Sequence, residues 1–168
     1  DAESKSKLTT WDIFSGFGLR GLIIRPVFKG SSLSSYSPYT DAGLLITTPI
    51  GLYFGSVFTS LTYEISNYSF ISSGFEDQVE GSSQTTALNF DLTNKISFGG
   101  NSIKKYAFLG RSNYSDGTGY LIGGDLVYNI STFPLSFALS SRANIVNTQS
   151  LGSTMWVSLG VNVGIKIP

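Results

Sequence analysis

The chain has 168 residues, 11 Lys+Arg balanced by 11 Asp+Glu, and neither histidine nor cysteine. Those absences exclude a Ser-His-Asp triad, a Cys nucleophile, a zinc site of the usual nitrogen and sulfur type and His-ligated haem or copper. A net charge of zero provides no basic surface for nucleic-acid phosphates. Only 13% of residues are charged, against about 25% in ordinary globular chains, and Ser, Thr and Asn supply the polar positions instead.

The opening stretch, DAESKSKLTT, is polar and lacks the apolar core of a signal peptide. It reads as the start of a mature chain whose leader has been removed, so residues 1–12 are expected to lead into a single domain over 13–168. No run of about 18 apolar residues occurs, which excludes a membrane-spanning helix. From Ile13 to Phe28, Tyr39 to Thr48 and Gly51 to Ile65 the chain is strand-like but its apolar face slips. A bulge or glycine kink near Gly16, Gly18, Gly21 or Gly55 would produce such a slip. Gly16-Phe17-Gly18-Leu19-Arg20-Gly21 matches the dinucleotide fingerprint, yet Leu22 to Val27 follow as a strand rather than as the helix that would hold a pyrophosphate. These glycines are read as relief of crowding within a strand.

Later segments alternate with period two, the strand signature. In Ala87 to Phe98, Leu88, Phe90, Leu92, Ile96 and Phe98 oppose Asn89, Asp91, Thr93, Lys95 and Ser97. Ile103 to Tyr114 is less clean, because Leu109 shares a side with Lys105 and Arg111. In Tyr120 to Ile130 the apolar Tyr120, Ile122, Leu126, Tyr128 and Ile130 oppose Asp125 and Asn129. Phe133 to Val146 sets Phe133, Leu135, Phe137 and Leu139 against Ser136, Ser140, Arg142 and Asn144. From Leu151 to Ile167 the odd positions are mostly apolar and the even ones small or polar, with Trp156 among the latter. Eight antiparallel strands result.

Thr48–Gly51, Gly99–Ser102 and Ser131–Pro134 read as short turns. They alternate with Lys29–Pro38, Asn67–Ser83, Asn113–Thr118 and Asn147–Ser150, two of which are the longest connections. Short turns at the end carrying both termini, with longer loops at the other end, is the arrangement of an up-and-down transmembrane β-barrel.

If each polar face lines such a barrel, Arg20, Glu64, Asp91, Lys95, Lys105, Arg111, Asp125 and Arg142 point inward as a charge network. The lumen of eight strands is narrow enough for side chains to fill, so these charges must pair. Their role is then a salt-bridge plug, or alternatively a narrow ion path. Tyr106 and Tyr114, and likewise Tyr120 and Tyr128, stand eight residues apart, which separates the rings by roughly 20 Å along tilted strands. They are read as aromatics at the two membrane interfaces. Tyr36, Tyr39, Tyr68, Phe70 and Phe75 fall in the Ser-rich loops and are read as candidate contacts for a partner. Glu76, Asp77 and Glu80 form a solvated acidic loop without metal-binding spacing. The matches to the glycosylation sequon at Asn67, Asn113 and Asn129 are those expected by chance in a chain so rich in Asn and Ser.

Alternating strands, turn pattern, inward charges and paired aromatics together resemble the small outer-membrane barrels of the OmpA and OmpX type. The resemblance is one of architecture over Ile13 to Ile167. It departs at Ile165-Lys166-Ile167-Pro168, where bacterial barrels often end on an aromatic residue. It implies insertion into the outer membrane of a Gram-negative-type bacterium, with the lipid bilayer as first partner and other envelope proteins as partners of the loops. The enzymes of that group rely on a catalytic histidine, which this chain lacks. No cofactor, metal or nucleic acid is expected, and no particular small-molecule ligand is indicated. The expected role is therefore structural or interactive and non-enzymatic. The alternatives are a small pore, and a soluble lipocalin-like barrel with its apolar face turned inward to bind an apolar ligand.

Overall fold

The computed structural model describes residues 14–20, 22–33, 36–72, 78–100, 102–115, 117–149 and 152–167, and among their side chains those of 14, 15, 22, 25–41, 70–79, 148, 166 and 167 are not described. Residues 1–12, expected to form a polar lead-in, lie outside this set. The strands are β1 (Phe14–Leu19), β2 (Leu22–Leu33), β3 (Tyr36–Phe54), β4 (Val57–Ser72), β5 (Gln78–Asp91), β6 (Ile103–Tyr114), β7 (Gly117–Asn129), β8 (Leu135–Thr148) and β9 (Gly152–Ile167). All pairings are antiparallel. Each strand from β3 onward pairs with the next, and β2 pairs with both β3 and β9, closing a ring of eight. The closing seam runs from Leu22 opposite Ile167 to Ser32 opposite Val157.

β1 and β2 act as one interrupted staff of this barrel. Both lie along β3, β1 against Ile50–Phe54 and β2 against Tyr36–Thr47. Two irregularities account for the slipping face of this region. Gly16 sits at a register shift with φ of 126°, a conformation that side-chain-bearing residues rarely adopt. The second lies in β3, where the pairing to β4 jumps between Thr47 and Gly51 around Pro49. Proline has no amide to donate to a ladder, and Thr48 bridges the gap: its hydroxyl donates to the carbonyl of Ile50 or Leu61 and accepts from the amide of Leu61. The amide of Arg20 donates to the Pro49 carbonyl at 2.7 Å, so the bulge faces the β1–β2 break.

The polarity of the wall is inverted relative to a water-soluble barrel. On β9, Met155, Leu159 and Val161 are 60% exposed or more, whereas Asn162 is 1% exposed. Leu61, Ile65, Leu88, Ile122, Phe137 and Ile145 also face outward, while Thr62, Glu64, Thr85, Ser112, Ser140 and Asn144 are buried within. Hydroxyl pairs tie neighbouring strands together on the inside: Thr47 with Thr62 at 3.0 Å, Ser66 with Ser83 at 2.9 Å and Thr85 with Ser112 at 2.6 Å. This satisfies polar groups held away from water.

Three expectations are corrected. Lys29–Pro38 and Asn67–Ser83 are largely strand: β2 runs to Leu33 and β3 begins at Tyr36, and β4 and β5 pair as far as Ile71 with Gln78. The extended connection is instead Leu92–Ser102, at the end that carries the described chain ends, where only a turn at Gly99–Ser102 was expected. The third is the phase of β6, whose even positions Phe108, Ser112 and Tyr114 are buried and whose odd positions Leu109, Arg111 and Asn113 are exposed. The outward apolar faces also remove the arrangement that a soluble lipocalin-like barrel would need.

Candidate functional site: the packed interior of the barrel

Three layers of side chains cross the lumen. Nearest the end with the described termini, Arg20 forms an ion pair with Asp91. The break after β1 turns Arg20 inward, and its guanidinium lies 4.1 Å from the ring centre of Phe58 and 5.9 Å from that of Tyr53. These are cation–π distances. The Asp91 carboxylate also accepts the amide of Thr93 at 2.9 Å.

The middle layer is a buried triad. Arg142 on β8 donates through Nη1 to Asp125 on β7 at 2.7 Å, and its Nε lies 3.5 Å from Glu64 on β4. All three residues are at most 4% exposed. β4 and β8 are diametrically opposite in the ring, so the Glu64–Arg142 contact braces one wall against the other. Phe108 on β6 packs its ring 4.4 Å from the Arg142 guanidinium carbon. Space for the Arg142 stem comes from its register partner Gly123, where a Cβ would stand 2.6 Å from Arg142 Cδ. Arg142 Nη2 is buried without a hydrogen-bond partner among the described residues.

The third layer is aromatic. Tyr68 of β4, Tyr114 of β6 and Trp156 of β9 meet with ring centres 5.4 to 5.7 Å apart, within the range of favourable edge-to-face and tilted contacts. The Tyr114 hydroxyl donates to Asn144 Oδ1 at 3.0 Å.

The structure thus brings together Glu64, Asp125 and Arg142 in one group and Arg20 and Asp91 in another. Lys95 lies exposed in the Leu92–Ser102 segment, whereas Lys105 is buried at 3% exposure, pairs in register with Leu126 and donates through Nζ to the Gly100 carbonyl. Arg111 is exposed on the outer wall, apart from the interior charges, and among the described residues the buried Lys105 forms no ion pair with them. Tyr120 and Tyr128 face outward at 62% and 53% exposure. Tyr114 does not stand at a membrane interface but is buried in the lumen, and Tyr106 packs inward against Ala87, Phe108 and Leu121. Tyr68 is likewise interior rather than a loop contact. Tyr36, Tyr39 and Phe70 lie on strands with side chains outside the described set, and Phe75 lies outside the described residues.

Sequence reasoning missed the aromatic filling by Tyr53, Phe58, Phe108 and Trp156. Trp156 carried a signal, since it stands among Gly, Thr, Ser and Asn on the small, polar side of the last strand. Among the described residues no cluster of acidic side chains could hold a metal ion.

An antiparallel ring with an apolar exterior and a lumen filled by ion pairs and aromatic rings defines the class of small transmembrane β-barrels. Comparison with solved structures places the fold. The N-terminal β-barrel domain of Pseudomonas aeruginosa OprF superposes with a TM-score of 0.52 at 15% identity, over 88% of this chain and 99% of that one. Neisserial surface protein A (NspA) gives 0.51 at 15% identity, over 92% and 99%. The chain has the fold of the small eight-stranded outer-membrane barrels. No family model matches it, and no curated protein matches it in sequence.

Proposed function

We propose that the chain is an integral protein of the outer membrane of a Gram-negative-type bacterium, with a non-enzymatic structural or interaction role. The observation that carries this reading is the inverted polarity: aliphatic and aromatic side chains cover the outer wall while Arg142, Asp125 and Glu64 are enclosed. Exposing that wall to water would leave a contiguous apolar belt far larger than soluble monomers carry, whereas lipid covers it without cost. A lumen crossed by three layers favours a structural part over conduction. Beyond the apolar belt, the β4–β5 and β6–β7 hairpins present exposed Asn67, Glu80, Ser82, Asn113 and Ser115. This polar rim is the surface available to other envelope proteins.

The test is the behaviour of the purified chain. The protein should require detergent and run on an SDS gel as a folded band whose mobility changes on boiling. A monodisperse protein in plain buffer with a heat-independent band would overturn the membrane reading.

A further inference from the structure

Arg111 breaks the separation of charge from the outer wall. In register it lies between Thr86 and Tyr120, in an outward row that continues through Tyr63 on one side and Ile145 and Met155 on the other. The next outward row toward the described termini is Leu61, Leu88, Leu109, Ile122, Ala143 and Val157, apolar throughout. The next row the other way is Ile65, Gln84, Asn113, Thr118, Asn147 and Ser153, polar in all but its first member. Arg111 therefore marks the level at which the wall changes from lipid-compatible to water-compatible. Tyr120 beside it is the residue type favoured at that level.

Two shallow grooves flank Arg111. One, of about 240 Å³, is lined by Arg111, Tyr120, Thr118, Asn147, Ser153 and Ile145 among others. The second, of about 430 Å³, runs over Leu61, Leu88 and Leu109. The first offers a guanidinium with hydroxyl and amide groups, and the second an apolar bed directly below the same arginine. Among the described residues, no carboxylate forms an ion pair with Arg111.

We propose that Arg111 and the groove over Thr118, Asn147 and Ser153 hold the phosphate-bearing headgroup of a membrane lipid, with an acyl chain along Leu88 and Leu109. The planar guanidinium matches a phosphate through paired hydrogen bonds, and the amphiphile matches the change from polar to apolar wall within one molecule. The inference rests on the membrane reading above. A generic arginine reaching for the headgroup level would show no preference for phosphate beyond that of any other boundary cation.

Native mass spectrometry of the detergent-solubilised protein, with phosphatidylglycerol and a diacylglycerol of the same chains as probes, tests it. The wild type should retain phosphatidylglycerol well over tenfold better than diacylglycerol, beyond the roughly five- to tenfold that one generic boundary cation gives. Arg111→Gln should abolish the difference and Arg111→Lys restore part of it, while millimolar inorganic phosphate leaves retention unchanged. Equal retention by the wild type and Arg111→Gln overturns the site. Displacement by inorganic phosphate overturns the lipid as its occupant. The folded, heat-modifiable band is scored in the same preparations, so loss of the barrel reading is separable from loss of the site.

Discussion

Arg142 shows how one side chain can organise a lumen. It meets a carboxylate on the adjacent strand and another on the opposite wall, and its single positive charge is shared by both. Removing one member of a buried charge group leaves the others uncompensated, which typically costs about 3 to 5 kcal/mol. Arg142→Met should lower the unfolding free energy by that order, measured by denaturant titration of the detergent-solubilised protein. Adding Glu64→Gln and Asp125→Asn to the same chain should recover most of the loss, because neutral groups need no counter-charge. The inward side of Asp125 and Arg142 was readable in the sequence, since each opposes a run of large apolar residues. Arg111 is the exception in β6: its charge suggests an inward side chain, yet it is exposed, while Lys105 is buried. Leu109, on the same side as Arg111, was the better guide. Tyrosine misled for a related reason: with an apolar ring and a hydroxyl, it suits a membrane boundary at Tyr120 and a packed lumen at Tyr114 equally well.

At the level of the strand, burial of charge depends on depth. The outward row containing Leu159 lies midway along β9, between the apolar Met155 and Ile165, whereas Ser153 stands in the polar boundary row. A cation at the bilayer midplane costs about 2 to 4 kcal/mol, falling to about 0 to 1 near the interface. Leu159→Arg should therefore destabilise the barrel severely and Ser153→Arg hardly at all, read from their equilibrium unfolding in lipid vesicles. The same physics explains why strand type was legible and strand ends were not. In a wall whose inner side is polar, Ser, Thr and Gly extend a strand as well as they form a loop, so Asn67–Ser72 and Gln78–Ser83 looked like connection although they are paired. The converse error occurred after Asp91. Alternation persists through Leu92, Thr93 and Lys95, but the chain leaves the ladder there, and period two alone carries no information about hydrogen bonding.

For the molecule as a whole, stacked cross-braces predict silence as a conductor. Planar bilayers containing the wild-type protein should show no stable single-channel steps, because the Arg20–Asp91 pair, the Glu64–Arg142–Asp125 triad and the three-ring cluster each span the lumen. Steady unitary currents would contradict the packing. The closing seam has a further consequence. Every other pairing in the ring joins strands adjacent in sequence, but β2 and β9 bring Leu22 to Ile167, nearly from one limit of the described chain to the other. Hairpins can form early and locally, whereas this contact must wait for the longest loop to close. Until it does, two strand edges carry unsatisfied amides and carbonyls that a hydrocarbon medium does not tolerate. Insertion and circular closure are thereby tied into one event, and a partly zipped sheet has no stable place in the bilayer.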